Sequence, residues 1–189
     1  MERTVVVIPR MFSQEDFKQR TGIIPEDFNE TSREFWNYIE EKLTPLKSKV
    51  KRIYSVIPLE DMRGQIEVSE NGEYPIIKEL VENGSELIFV EDPVLVAEVD
   101  SWLGMMKTSA DQGIFELYED SLRDRDEHVV KTIVDTLKDG EIGVFITDID
   151  HKLSLPEDTR LIRMCRFDPE DYLKRWKTKL ELGKQAQKG

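Results

Sequence analysis

Along this chain the apolar positions alternate between short unbroken runs and stripes at helical spacing. Val5-Val6-Val7-Ile8 is a continuous β-branched run, the pattern of a strand covered on both faces in a parallel sheet, and Thr4 to Ile8 is predicted as the first strand. Lys49 to Ile57, Leu87 to Val90, Gly143 to Thr147 and Leu161 to Arg166 repeat the pattern. Between them the period lengthens. Thr31 and Glu34 have capping-box spacing, and Phe35, Trp36, Ile39 and Leu43 follow as one helical stripe. Pro75 to Asn83 reads as a helix stopped by Gly84, and Asp92-Pro93 opens another to Met106. Ala110 to Glu119 and then Ser121 to Leu137 are helical, the latter with Leu122, Val129, Val130, Ile133, Val134 and Leu137 on one side and Gly140 beyond its end. A last helix follows Asp168-Pro169, with Leu173, Trp176 and Leu180 inward and Lys174, Arg175, Lys177 and Lys179 outward.

Two connections fit neither period. Residues 11–30 carry Phe12, Phe17, Ile23, Ile24 and Phe28, too many large apolar groups for free disorder, and read as a lid or insertion. Residues 59–72 end in Asn71-Gly72, a turn pair, with a small hairpin expected at Ile66 and Val68. Strands alternating with helices predict one α/β domain over 1–189, three layers (α/β/α) around a mainly parallel sheet of about five strands, with a frayed tail at 183–189. Val94 to Met106 has an inner stripe of Leu95, Val99, Trp102, Leu103 and Met106, yet Val94, Val96, Ala97 and Met105 are apolar on other faces. Either a homodimer forms through this helix or its neighbours, or residues 11–30 fold back over it.

Charge narrows the partners. With 39 acidic against 27 basic residues the net charge is −12, which argues against nucleic acid or an anionic membrane. No apolar run approaches the 18 or so residues of a membrane span, and Val5 to Ile8 is too short for a signal-peptide core, so a cytoplasmic location is expected. The single cysteine, Cys165, excludes an internal disulfide and a multi-cysteine zinc site, and its strand setting suits a buried thiol.

In parallel sheets ligands bind beyond the C-terminal strand ends, which places Arg10, Glu60, Asp61, Arg63, Glu91, Asp148, Asp150 and His151 along one edge. Arg10 and Arg63 are candidate ligand-binding groups. Arg125 and Asp126 stand four residues before Val129 and Val130 and so continue an apolar stripe. They are either a ligand-orienting pair, the arginine a planar fork for a carboxylate or phosphate, or an ion pair where the helix leaves the core. Glu91-Asp92 reads first as a helix cap. His128 lies on the opposite face from the stripe. His151 has the chemistry of a general base near neutral pH. Asp148, Asp150 and His151 together offer two oxygens and an imidazole to a divalent metal such as manganese, iron or zinc, given further ligands from Glu60, Asp61 or Glu91. There is no nucleophile-elbow serine and no glycine-rich phosphate loop.

Asp124-Arg125-Asp126, then Val129, Ile133 and Gly140, then a strand leading to a histidine, resembles the C-terminal signature of the TraB, GumN and Tiki superfamily and its erythromycin-esterase-like relatives. The resemblance covers roughly residues 115 to 153. It implies an α/β protein, a metal-dependent hydrolase of peptides or esters, and functional roles for Arg125, Asp126 and His151. Asp148 and Asp150 stand at the two glycine positions of the family's turn. Pro9-Arg10-Met11 follows the first strand where those hydrolases place a histidine or glutamate. Two functions therefore remain open: a hydrolase with a divalent metal, its catalytic residues His151, Arg125 and Asp126, or a non-catalytic module binding a small molecule, peptide or protein in the same cleft.

Overall fold

A computed structural model describes residues 2–68, 72–147 and 151–186. Its elements run β1 (Arg3–Pro9), α1 (Gln14–Thr21), α2 (Phe28–Leu43), β2 (Val50–Ser55), α3 (Leu59–Val68), α4 (Tyr74–Glu82), β3 (Glu86–Phe89), α5 (Pro93–Met106), α6 (Gln112–Thr136), β4 (Ile142–Thr147), β5 (Thr159–Arg163) and α7 (Pro169–Ala186). Among the described residues the strands form one five-stranded sheet, ordered β3-β2-β4-β1-β5, with every pairing parallel. The three-layer α/β architecture expected from the alternating periods is the one observed.

Alternate residues of the strands feed two cores. Val6, Ile8, Ile53, Val144 and Ile146 point to the face covered by α1, α2, α3, α4 and α7. Val5, Val7, Tyr54 and Phe145 point to the other, where Val129 and Ile133 of α6 and Leu137 at its C-terminal cap pack. The period of two explains why a run such as Val5 to Ile8 must be apolar at every position: both faces are dry. On the α6 face, the connection from β4 to β5 crosses β1 without a helix among its described residues, and Leu153 and Leu155 cover the sheet instead.

Several local expectations are corrected. Residues 59–68 form helix α3, not a hairpin: Leu59, Met62 and Ile66 repeat at helical spacing, Glu60 and Asp61 occupy the first turn where the helix dipole favours them, and Met62 is buried. Asn71 lies outside the described residues. The α2 helix starts at Phe28 rather than at a Thr31 cap, because Phe28 itself is needed in the core. The two helices expected at 110–119 and 121–137 are one, α6, since nothing at Asp120 breaks the hydrogen-bond ladder. The C-terminal helix continues through Gly183 to Ala186 in place of a frayed tail, whose last residues, 187–189, lie outside the described set.

Residues 11–30 are no lid over α5. Phe17 and Phe28 meet Tyr172 of α7 on the opposite face of the sheet, with ring centroids 5.3–6.4 Å apart. Uncovered by that segment, α5 buries Val99 alone of its expected inner stripe, while Val94, Leu103 and Met105 are exposed.

Candidate functional site

The chain leaves β1 toward the α1 side, whereas Leu153 and Leu155 of the β4–β5 crossover lie on the α6 side. Neighbouring strands with diverging exits open a crevice at their C-terminal ends, the usual ligand position in parallel sheets. Arg10 N–H donates to Thr147 C=O at 2.8 Å and closes the crevice floor. Beside it is a cavity of about 240 Å³ whose walls include Arg10, Phe145, Thr147, His151, Arg163 and Lys174.

His151 is the most constrained group there. Its side chain is only 2 % exposed, although the residue sits in a loop. The Nδ1 atom lies 2.6 Å from Asp126 Oδ1, and the other carboxylate oxygen of Asp126 accepts the Lys152 N–H at 3.1 Å. One aspartate on α6 thus fixes both the ring and the backbone that carries it. The Phe145 ring packs against the imidazole, centroids 5.6 Å apart and tilted by 39°. Nε2 is buried without a hydrogen-bond partner among the described residues and stands 3.7 Å from Glu91 Oε1.

Glu91 is held in turn by Arg125, whose Nε donates to Oε2 at 2.8 Å and whose Nη2 donates to Oε1. Both side chains are buried. Arg125 and Asp126, read together from the sequence, therefore point to different partners: Arg125 crosses to the end of β3, and Asp126 takes the histidine. The result is a continuous line, Asp126–His151–Glu91–Arg125, joining α6, the β4–β5 crossover and the β3–α5 junction. Asp92, next to Glu91, is the cap expected, its side chain accepting the Val94 N–H at 2.8 Å.

Arg10 lines the same cavity as His151, and its Nε lies 2.6 Å from Glu73 Oε1. Burial and the Glu73 carboxylate push the neighbouring Tyr74 phenol above its ordinary pKa. Arg163, at the end of β5, bonds Asp168 Oδ2 at 2.7 Å. Arg63 is exposed on α3 and lines neither of the cavities that His151 lines. Asp148 and Asp150 lie outside the described residues. Among the described residues no three His, Cys, Asp or Glu side chains converge as a metal site would require. The strand-end edge expected from the sequence does bring Glu91 beside His151. Sequence reasoning missed the bond of Glu91 to Arg125 and Glu73 as a partner of Arg10; for Glu73, in a short turn, there was no signal.

His151 also forms part of a second, larger cavity of about 830 Å³, a groove between α6 and the start of the crossover. No helix among the described residues is long and apolar enough to cross a membrane.

No family model, curated protein or solved structure matches this chain. The resemblance to the TraB, GumN and Tiki superfamily thus stands on its residues alone.

Proposed function

We propose that this chain is a hydrolase of small substrates, with His151 as the proton-handling group at the C-terminal edge of the sheet. The observation that carries it is the buried imidazole with one nitrogen fixed by Asp126 and the other without a hydrogen-bond partner among the described residues. A histidine oriented through one nitrogen is prepared to use the other as a base. The adjoining cavity suits a substrate group of a few heavy atoms. A metal-assisted form has its own support: a carboxylate on the far nitrogen is the usual setting of a metal-bound histidine, and 3.7 Å between Nε2 and Glu91 Oε1 is a span two ligands of one ion can have. In that form His151 would hold the ion with Asp148 and Asp150, and a divalent metal would supply an activated water.

The test is hydrolysis of a peptide, ester and phosphoester panel by wild type, His151→Ala and Asp126→Asn, with elemental analysis of each protein. Turnover by wild type lost in His151→Ala supports the reading. The absence of turnover on the whole panel, with and without added manganese or zinc, rejects it.

A second reading, a non-catalytic binding module, is favoured by one specific observation. Arg10, Arg125 and Arg163 are each engaged by a carboxylate of the protein itself, which suits a cleft that holds its shape and receives a ligand without chemistry. Retention of a ligand in equilibrium dialysis without its conversion would distinguish it. Self-association belongs to either reading, supported by the uncovered α5.

A further inference from the structure

Helix α6 carries two parallel lines of side chains along its outer flank. The first, Tyr118, Leu122, Asp126, Val130 and Val134, repeats every four residues, is half-buried, and forms one wall of the 830 Å³ groove. The second, one position on, is Glu119, Arg123, Glu127 and Lys131, exposed and alternating in sign, with Asp135 as its last member at the groove's end. Such alternation usually supports a lone helix through i,i+4 pairs. Those pairs are not made here. Arg123 bonds Asp120 at 2.8 Å, and among the described residues Glu119, Glu127 and Lys131 have no ion-pair partner.

Read backwards, minus-plus-minus-plus becomes plus-minus-plus-minus. The line is therefore complementary to itself in the antiparallel sense, and to no parallel copy in register. We infer that a second copy of this chain docks on this groove, its α6 antiparallel to the first about a two-fold axis near residues 124–125. In that register Glu119 faces Lys131 and Arg123 faces Glu127, each pair occurring twice by symmetry. The apolar line interleaves in the same register, setting Tyr118 against Val130 across the axis. It also sets Leu122 of each copy against Asp126 of the other, so that each copy covers the other's Asp126–His151 pair. The His151 ring is already buried within one copy, so what the dimer adds is cover over the partly exposed Asp126 carboxylate.

From Tyr118 to Asp135 the helix runs about 27 Å, so a face roughly 10 Å wide presents on the order of 270 Å² on each copy before the groove walls are added. Charge pairs flanking an apolar seam are the standard determinant of helix orientation. This inference places self-association on α6 rather than on the uncovered α5, and it needs nothing of the chemistry proposed above.

Charge reversal tests it without disturbing the core, because Glu119 and Lys131 are both exposed. Wild type should sediment as a dimer at micromolar concentration. Glu119→Lys and Lys131→Glu, each alone, place like charges opposite and should weaken the dimer at least tenfold. Mixed one to one, they restore both pairs in a heterodimer, which should recover the wild-type sedimentation coefficient. A monomeric wild type at 100 micromolar, single variants that dimerise as tightly as wild type, or a mixture that stays monomeric would each overturn the proposal. Hydrolysis is measured separately, so a lost dimer with turnover retained separates this failure from that of the enzymatic reading.

Discussion

Arg125 on α6 and Glu91 at the end of β3 form a buried, two-bond ion pair across 34 residues of chain. Glu91 is the group that faces His151 Nε2, so the pair fixes the electrostatic surroundings of the imidazole as well as the seat of α6. Removing one partner leaves an unpaired buried charge, and Glu91→Ala should destabilise the protein by about 3–5 kcal/mol. Replacing both, as Glu91→Leu with Arg125→Met, should recover most of that loss. Urea unfolding of the two single variants and the double variant checks both statements.

Gly143 faces the α6 side of β4, and the Tyr54 ring of the neighbouring strand lies across it. A Cβ at this position would stand 2.6 Å from Tyr54 Cε2. The ring cannot swing away, because it is wholly buried and its hydroxyl is 3.0 Å from Thr136 Oγ1. Gly143→Ala should therefore destabilise by about 1–3 kcal/mol, the usual range for overpacking, as read by the thermal midpoint.

Burial pushes the Tyr54 phenol up to about 12. In the unfolded chain a tyrosine ionises near pH 10, so above that pH the unfolded state loses a proton that the folded state keeps. Stability should be constant in this respect below pH 10 and fall between pH 10 and 12 by roughly 2 kcal/mol. Tyr54→Phe should flatten that limb in denaturant titrations at high pH. At the acid end the sign is opposite. The hydrogen bond from Arg3 lowers the Asp158 pKa, so its contribution is present above the ordinary carboxylate range and lost as pH falls below it, and Asp158→Asn should remove that part of the slope.

Phe17 is fully buried among Phe12, Phe28 and Tyr172. Phe17→Ala should cost about 3–5 kcal/mol, a core value. A loss below 1 kcal/mol in chemical unfolding would show that residues 11–30 are dispensable.

What the sequence disclosed follows from which forces are local. The Val5 to Ile8 and Gly143 to Thr147 runs and the Asp92 cap are written in adjacent residues and stand where their patterns placed them, whereas the last strand is Thr159–Arg163, starting two residues before the expected Leu161 and ending before Met164. Residues 59–68 were misjudged because a turn pair at Asn71-Gly72 was given more weight than the three apolar positions at helical spacing before it. The direction in which Phe17 and Phe28 pack is decided by Tyr172, which lies more than 140 residues away along the chain. Within the site, the charge on an apolar stripe marked Arg125 and Asp126, and rarity marked His151. Their partnering was beyond reach, since two consecutive helical residues diverge by about 100° and only the tertiary fold says what each meets.

The order β3-β2-β4-β1-β5 also bears on how the protein is made. Of the five strands β1 comes first in the sequence, yet among the described residues it has no sheet partner before residue 142, since its neighbours are β4 and β5. Strands β2 and β3 pair with each other much earlier, and β4 must then enter between β2 and β1. A nascent chain therefore carries Val5-Val6-Val7-Ile8 as an unsatisfied apolar strand until the segment from residue 142 on is made, at a rate of roughly 5–20 residues per second. Closure of the sheet waits for the segment that brings His151, and the centre of the fold and its candidate site are completed together, late.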